Sequence, residues 1–116
     1  MPVSKYIDIP NSTLTVEYII GRNAADNFKI IDDAEDYHMW FHIEGHPSGH
    51  VIAVIDENVD KKLMRSIIKQ GAVVCKQFSK YASTKSVDIV YAKICDVKKT
   101  DIMGQVLVTG AKYITI

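Results

Sequence analysis

The chain's four histidines, His38, His42, His46 and His50, recur every fourth residue in one short stretch. Asp36 to Ile52 reads Asp-Tyr-His-Met-Trp-Phe-His-Ile-Glu-Gly-His-Pro-Ser-Gly-His-Val-Ile and also holds the only tryptophan. Imidazole, with an ordinary pKa near ~6.5, suits proton transfer at neutral pH. His42 and His50 are therefore candidates for a general acid/base pair acting on a phosphodiester, with Ser48 or Ser79 as nucleophile. Alternatively, two imidazoles can hydrogen-bond across a loop and hold its shape. Such a loop offers N–H groups and ring edges to a phosphate or an unpaired base. A metal cluster is a third use of histidines, but the period of four runs through a turn. No acidic or cysteine ligand stands at motif spacing nearby. No metal and no other cofactor is expected.

The elements around these residues follow from residue type. Gly45 to Gly49, with Pro47 and Ser48, predicts a chain reversal. Met39 to Ile43 and Val51 to Ile55 have the β-branched and aromatic content of strands. His42 and His50 then sit at the two mouths of one loop and could face each other. Trp40 and Phe41 have opposite parity, so one belongs to a core and the other could face outward and stack a base.

Upstream, Tyr6 to Ile9 and Leu14 to Ile20 read as a hairpin joined at Pro10-Asn11-Ser12. Arg22 to Ile31 reads as a short helix with Asn23 as N-cap and a buried face of Ala24, Asn27, Phe28 and Ile31. A buried Asn27 amide needs partners and should tie the helix to a neighbouring backbone. Arg22 is placed to meet a phosphate or an acidic neighbour. Asp32 to Asp36 is an acidic, solvated connection.

Asp60 to Tyr81 reads as a long amphipathic helix. Leu63, Met64, Ile67, Gly71, Val74, Cys75 and Phe78 form its apolar face. Lys62, Arg65, Lys69, Lys76 and Lys80 fall within about 60° of one another at the helical repeat. No Asp or Glu follows Asp60 until Asp88, so the stripe has no i,i+4 carboxylates. A solvated face usually mixes signs, and a polyanion partner explains the missing acids. Val87 to Ile94 reads as a strand and Asp96 to Asp101 as a basic loop carrying Lys98 and Lys99. Gln105 to Thr109 and Tyr113 to Ile116 read as a closing hairpin. The expected fold is α+β. It is a mostly antiparallel sheet with one long amphipathic helix and one short N-terminal helix packed on it.

At 116 residues the chain predicts one domain over 1–116, burying about 65% of its unfolded surface. No apolar run approaches the ~18 residues of a membrane helix, and no signal peptide opens the chain. Two cysteines, Cys75 and Cys95, without metal spacing fit free buried thiols in a reduced, cytoplasmic protein. The formal net charge is zero, yet residues 1–60 carry three basic and eleven acidic side chains, and residues 61–116 the reverse. This asymmetry fits either a polyanion partner or charge-driven assembly.

Several of these segments resemble one family. Gly21-Arg22-Asn23 with Asn27, Asp36-x-x-x-Trp40-Phe41-His42, Pro47-Ser48-Gly49-His50-Val51, Val90-Tyr91, Lys98-Lys99 and Gly104-Gln105-Val106 are similar, in order, to the NFACT-R domain. That domain occurs in ribosome-quality-control factors that extend stalled nascent chains, in bacterial fibronectin-binding-protein homologues, and alone. Many members read Pro-Gly-Ser-His where this chain has Pro47-Ser48-Gly49-His50. The resemblance implies a non-enzymatic module for structured RNA, such as tRNA or rRNA on the translation machinery. Lys62, Arg65, Lys69, Lys76, Lys80, Lys98 and Lys99 would track phosphates. His42, His50, Arg22 and Asn23 would add shape recognition. An RNA-modifying or RNA-cleaving enzyme using His42 and His50 is the alternative, and a protein-interaction module a third.

Overall fold

A computed structural model describes residues 1–116. The chain order is β1 (Val3–Asp8), β2 (Thr15–Ile20), α1 (Ala24–Asp32), β3 (Met39–Ile43), β4 (Val51–Val54), α2 (Lys61–Gln77), β5 (Asp88–Lys93), β6 (Val97–Lys99), β7 (Val106–Val108) and β8 (Lys112–Thr115). A six-stranded sheet runs β1-β2-β4-β3-β5-β8 with every neighbour antiparallel. β6 and β7 form a separate antiparallel ribbon. The expected α+β architecture is the one observed.

Side chains alternate across a strand, so the sheet has two distinct inner faces. Tyr18, Phe41, Ile43, Val51 and Ile89 point to the face that α2 covers with Ile67, Val74 and Cys75. Trp40, Ile52, Val90 and Ala92 point to the other, covered by Ile30 and Ile31 of α1 and by Val97 of the ribbon. Trp40 and Phe41 are thus both buried, against the expectation that one faces outward. That expectation assumed one covered face; the ribbon supplies the second cover.

Helix α2 starts on Asp60, whose carboxylate accepts from the Leu63 N–H at 2.8 Å. It docks closely because Gly71 leaves room for the Phe41 ring, and the Tyr18 hydroxyl donates to the Ile67 carbonyl at 2.8 Å. It ends at Gln77, four residues short of the Tyr81 expected. Ser79 Oγ donates to the Lys76 carbonyl and accepts from the Tyr81 N–H, a local alternative to helical bonding. Phe78 is consequently exposed and does not join the apolar face.

Other boundaries differ too. β1 begins at Val3 because its whole length pairs with β2. In α1 the buried residues are Asp26, Asn27, Ile30 and Ile31, while Ala24 is exposed and Phe28 only half-buried. Lys98 and Lys99 lie on a strand, and β7 and β8 are not a hairpin: β7 pairs with β6 and β8 with β5. A tight turn at residues 100–105, closed by the Thr100 N–H to the Gln105 carbonyl, joins β7 to β6 instead. Cys75 is buried, and burial pushes its thiol up to about 12. Cys95 is exposed, contrary to expectation.

A Cβ at position 71 would overlap the Phe41 ring. Gly71→Ala should therefore lose about 1–3 kcal/mol of stability despite its better helix propensity, read as a lower urea midpoint at unchanged m-value.

Candidate functional site

The second sheet face carries a cleft. It forms where three turns converge: the start of α1, the loop between β3 and β4, and the turn between β6 and β7. The first two are joined by hydrogen bonds. Asn27 Oδ1 accepts from the His50 N–H at 3.0 Å, and the His50 carbonyl accepts from the Gly21 N–H at 2.9 Å. Asn27 thus ties its helix to a neighbouring backbone, as a buried amide must. The two segments approach so closely that a Cβ on Gly21 would overlap Asn27, and one on Gly49 the Gly21 carbonyl. The third turn packs Gly104, at φ +84°, against Ala24.

The cleft has a volume of about 700 Å³, and Arg22, Trp40, His42, His50, Met103 and Tyr113 are among its walls. His42 stacks on Trp40 with centroids 5.9 Å apart and an interplanar angle of 11°. His50 meets His42 edge-on at 4.9 Å and Trp40 edge-on at 5.3 Å. The two histidines do face each other. His38 lies elsewhere, its Nδ1 accepting from the Glu35 N–H to close a turn; His46 is exposed on the cleft's loop, its ring beside Tyr81. No three His, Cys, Asp or Glu side chains converge as a metal site.

Burial, and then the His42 ring nearby, pushes His50 down to about 3. Burial also depresses His42, partly offset by the main chain at Ser48 and Ile43. The pair is neutral at pH 7, which suits shape and hydrogen bonding better than charge transfer. Ser48 Oγ accepts from the Ile43 N–H at 3.2 Å and serves the loop's shape, while Ser79 caps α2. Trp40 Nε1 and His50 Nδ1 are buried without a partner in the chain.

The basic residues divide between two surfaces. Lys62, Arg65 and Lys69 are exposed on α2 and pair with no carboxylate. Lys76 is half-buried and donates to the main-chain oxygen of Ile116 at 3.0 Å. Lys80 lies past the helix end, over the Tyr81 ring at 5.9 Å. Arg22 lines the cleft with its guanidinium unpaired, and Asn23 is the N-cap, accepting from the Asp26 N–H at 2.8 Å. Lys98 is exposed on β6; Lys99 pairs with Asp32 and covers the Phe28 ring. The helix stripe and the cleft occupy opposite faces of the sheet. One flat surface cannot touch both.

The profile of the NFACT protein RNA binding domain matches residues 6–115. The chain belongs to this family. RNA is accordingly the partner class of this NFACT RNA-binding domain. The fold is also that of the C-terminal part of the fibronectin/fibrinogen-binding protein from Streptococcus suis, with a TM-score of 0.81 at 19% identity. That alignment covers 99% of this chain and 44% of the other, so the chain spans less than half of that structure. No curated protein matches the chain. Much of the cleft is built from the segments that resemble the family's motifs: Arg22, Asn23 and Asn27, Trp40 and His42, Ser48 to His50, Val90, and Gly104 to Val106, whereas Asp36, Phe41 and Lys98-Lys99 lie outside it. Sequence reasoning missed Met103 and Tyr113 as cleft residues. Met103 stands next to the Gly104-Gln105-Val106 segment, which could have pointed to it; nothing in the sequence pattern marked Tyr113.

His50 sets a pH dependence. Its folded value of about 3 lies below the ordinary 6.5, so below 6.5 the unfolded chain takes a proton that the native state refuses. Stability attributable to His50 is constant above pH 6.5 and should fall by about 1.4 kcal/mol per pH unit below it, until the folded group itself titrates. Urea midpoints from pH 7 to 4 measure this, and His50→Gln should flatten the profile.

Proposed function

We propose that this domain recognises structured RNA, tRNA or rRNA, in the cytoplasm as part of translation or ribosome quality control. A ribosomal or protein partner would fit alongside the RNA. Family membership supports the RNA class. The structural observation that supports contact with a polyanion is the unpaired run of Lys62, Arg65 and Lys69 along the solvent side of α2. Three cations at 3,4 spacing follow a phosphate backbone without reading bases, as recognition of folded RNA by shape requires. Lys98 and Arg22 stand free on the other side, where a bulky RNA could reach them by wrapping an edge of the sheet. Lys99 is bound to Asp32 and gives up a contact to reach phosphate.

Binding of labelled tRNA across a salt series tests the reading. Each phosphate contact contributes a log–log slope of roughly −0.7 to −0.9. The triple variant Lys62→Glu/Arg65→Glu/Lys69→Glu should bind more weakly, with a slope shallower by about 2 to 3. Equal binding by the variant would remove α2 as the contact face. Absence of binding by the wild type to both tRNA and rRNA fragments at low salt would end the proposal.

A further inference from the structure

We infer that the cleft takes one unstacked nucleobase, held between the Tyr113 ring at its rim and the Trp40–His42–His50 cluster at its floor. The inference rests on RNA being the partner and adds a site on the face opposite the basic helix.

Size comes first. A cleft of about 700 Å³ lies in the range of sites that hold a nucleotide-sized ligand and is far too roomy for a lone ion. Charge comes second. Arg22 and Glu44 offset each other in the walls. The start of α1 is not free to bind phosphate: Asn23 Oδ1 accepts from the Asp26 N–H, and the Asp26 carboxylate accepts from the Arg22 N–H. A carboxylate already stands where an anion would dock. A neutral, flat heterocycle suits these walls better than a phosphate.

The polar floor comes third. Trp40 and His50 are each only 2% exposed, and Trp40 Nε1–H and His50 Nδ1 have no partner in the chain. Buried polar groups are ordinarily paired, and an unpaired donor or acceptor is costly. Indole N–H only donates. A neutral imidazole nitrogen donates or accepts according to its tautomer. The edge of a base carries donors and acceptors side by side and answers both. The half-buried His42 ring packs on both residues, so that ring has to move aside for a base edge to reach the two buried atoms.

The rim comes last. Tyr113 is 57% exposed and Met103 60%, and both line the cleft. Large apolar side chains at the mouth of a polar-floored cleft fit a ligand with a π-face, and every base has one.

The sole tryptophan makes the floor directly observable. The full ¹⁵N-labelled chain is titrated with an RNA hairpin carrying one bulged adenosine, with the same hairpin fully paired, and with adenosine monophosphate. The indole N–H resonance should move with the bulged hairpin and not with the paired one. Affinity for the bulged form should be about tenfold higher, the scale of one base–aromatic stack. Tyr113→Ala, on an exposed edge-strand position, should remove that preference. So should Trp40→Phe, which keeps an aromatic ring and deletes the N–H. A shift with adenosine monophosphate alone would extend the site to free nucleotides. Equal affinity for the two hairpins would overturn the cleft inference and leave the RNA reading intact. Binding to neither hairpin would also overturn the cleft inference, while the tRNA and rRNA series decides the RNA reading separately.

Discussion

The cleft of this domain depends on one short chain of hydrogen bonds. Asn27 holds the His50 N–H, and the His50 carbonyl holds the Gly21 N–H. Through them the start of α1 and the β3–β4 loop become one rigid wall. The bonds require two backbones to touch, and Gly21 and Gly49 lack the Cβ atoms that would keep them apart. His50 is thereby fixed by its main chain, leaving its ring to lean on Trp40 and His42. Replacing Asn27 by an apolar residue would strand a buried N–H, a loss of about 1–3 kcal/mol by the usual cost of such groups.

The same placement governs the histidine chemistry. Rings pressed together away from water lose their charged forms first. Burial therefore favours the neutral forms of His42 and His50. Paired catalytic histidines need accessible protonated and unprotonated states near working pH, and burial moves both groups away from that balance toward the neutral form. What the cluster does provide is a planar, partly unsatisfied polar floor.

The basic helix face and the cleft sit on opposite sides of one sheet. Helix α2 covers one face and exposes its cations outward. The ribbon and α1 cover the other and leave the cleft between them. An RNA that used both would have to wrap the edge of the domain, and folded RNA has the curvature for this where a straight duplex has not. Charge also mixes in the fold more than along the chain, since Lys99 of the basic half pairs with Asp32 of the acidic half.

Local rules sufficed for much of the molecule. The α2 start at Asp60, the Asn23 cap, the strands at 39–43 and 51–54 and the β1–β2 hairpin follow from residue type and periodicity, which act over a few residues. The α+β class and the family resemblance were equally legible. The end of α2 was not, because the Ser79 hydroxyl competes with helical bonding only when its geometry is known. Nor was the burial of both Trp40 and Phe41, because alternation says which way a side chain points and not whether something covers it. The pairing of β7 with β6, the opposition of stripe and cleft, and the arrival of Met103 and Tyr113 beside Trp40 were decided by tertiary structure. These residues lie more than sixty positions beyond Trp40, and which of several apolar strands covers a sheet face depends on packing that no local window contains.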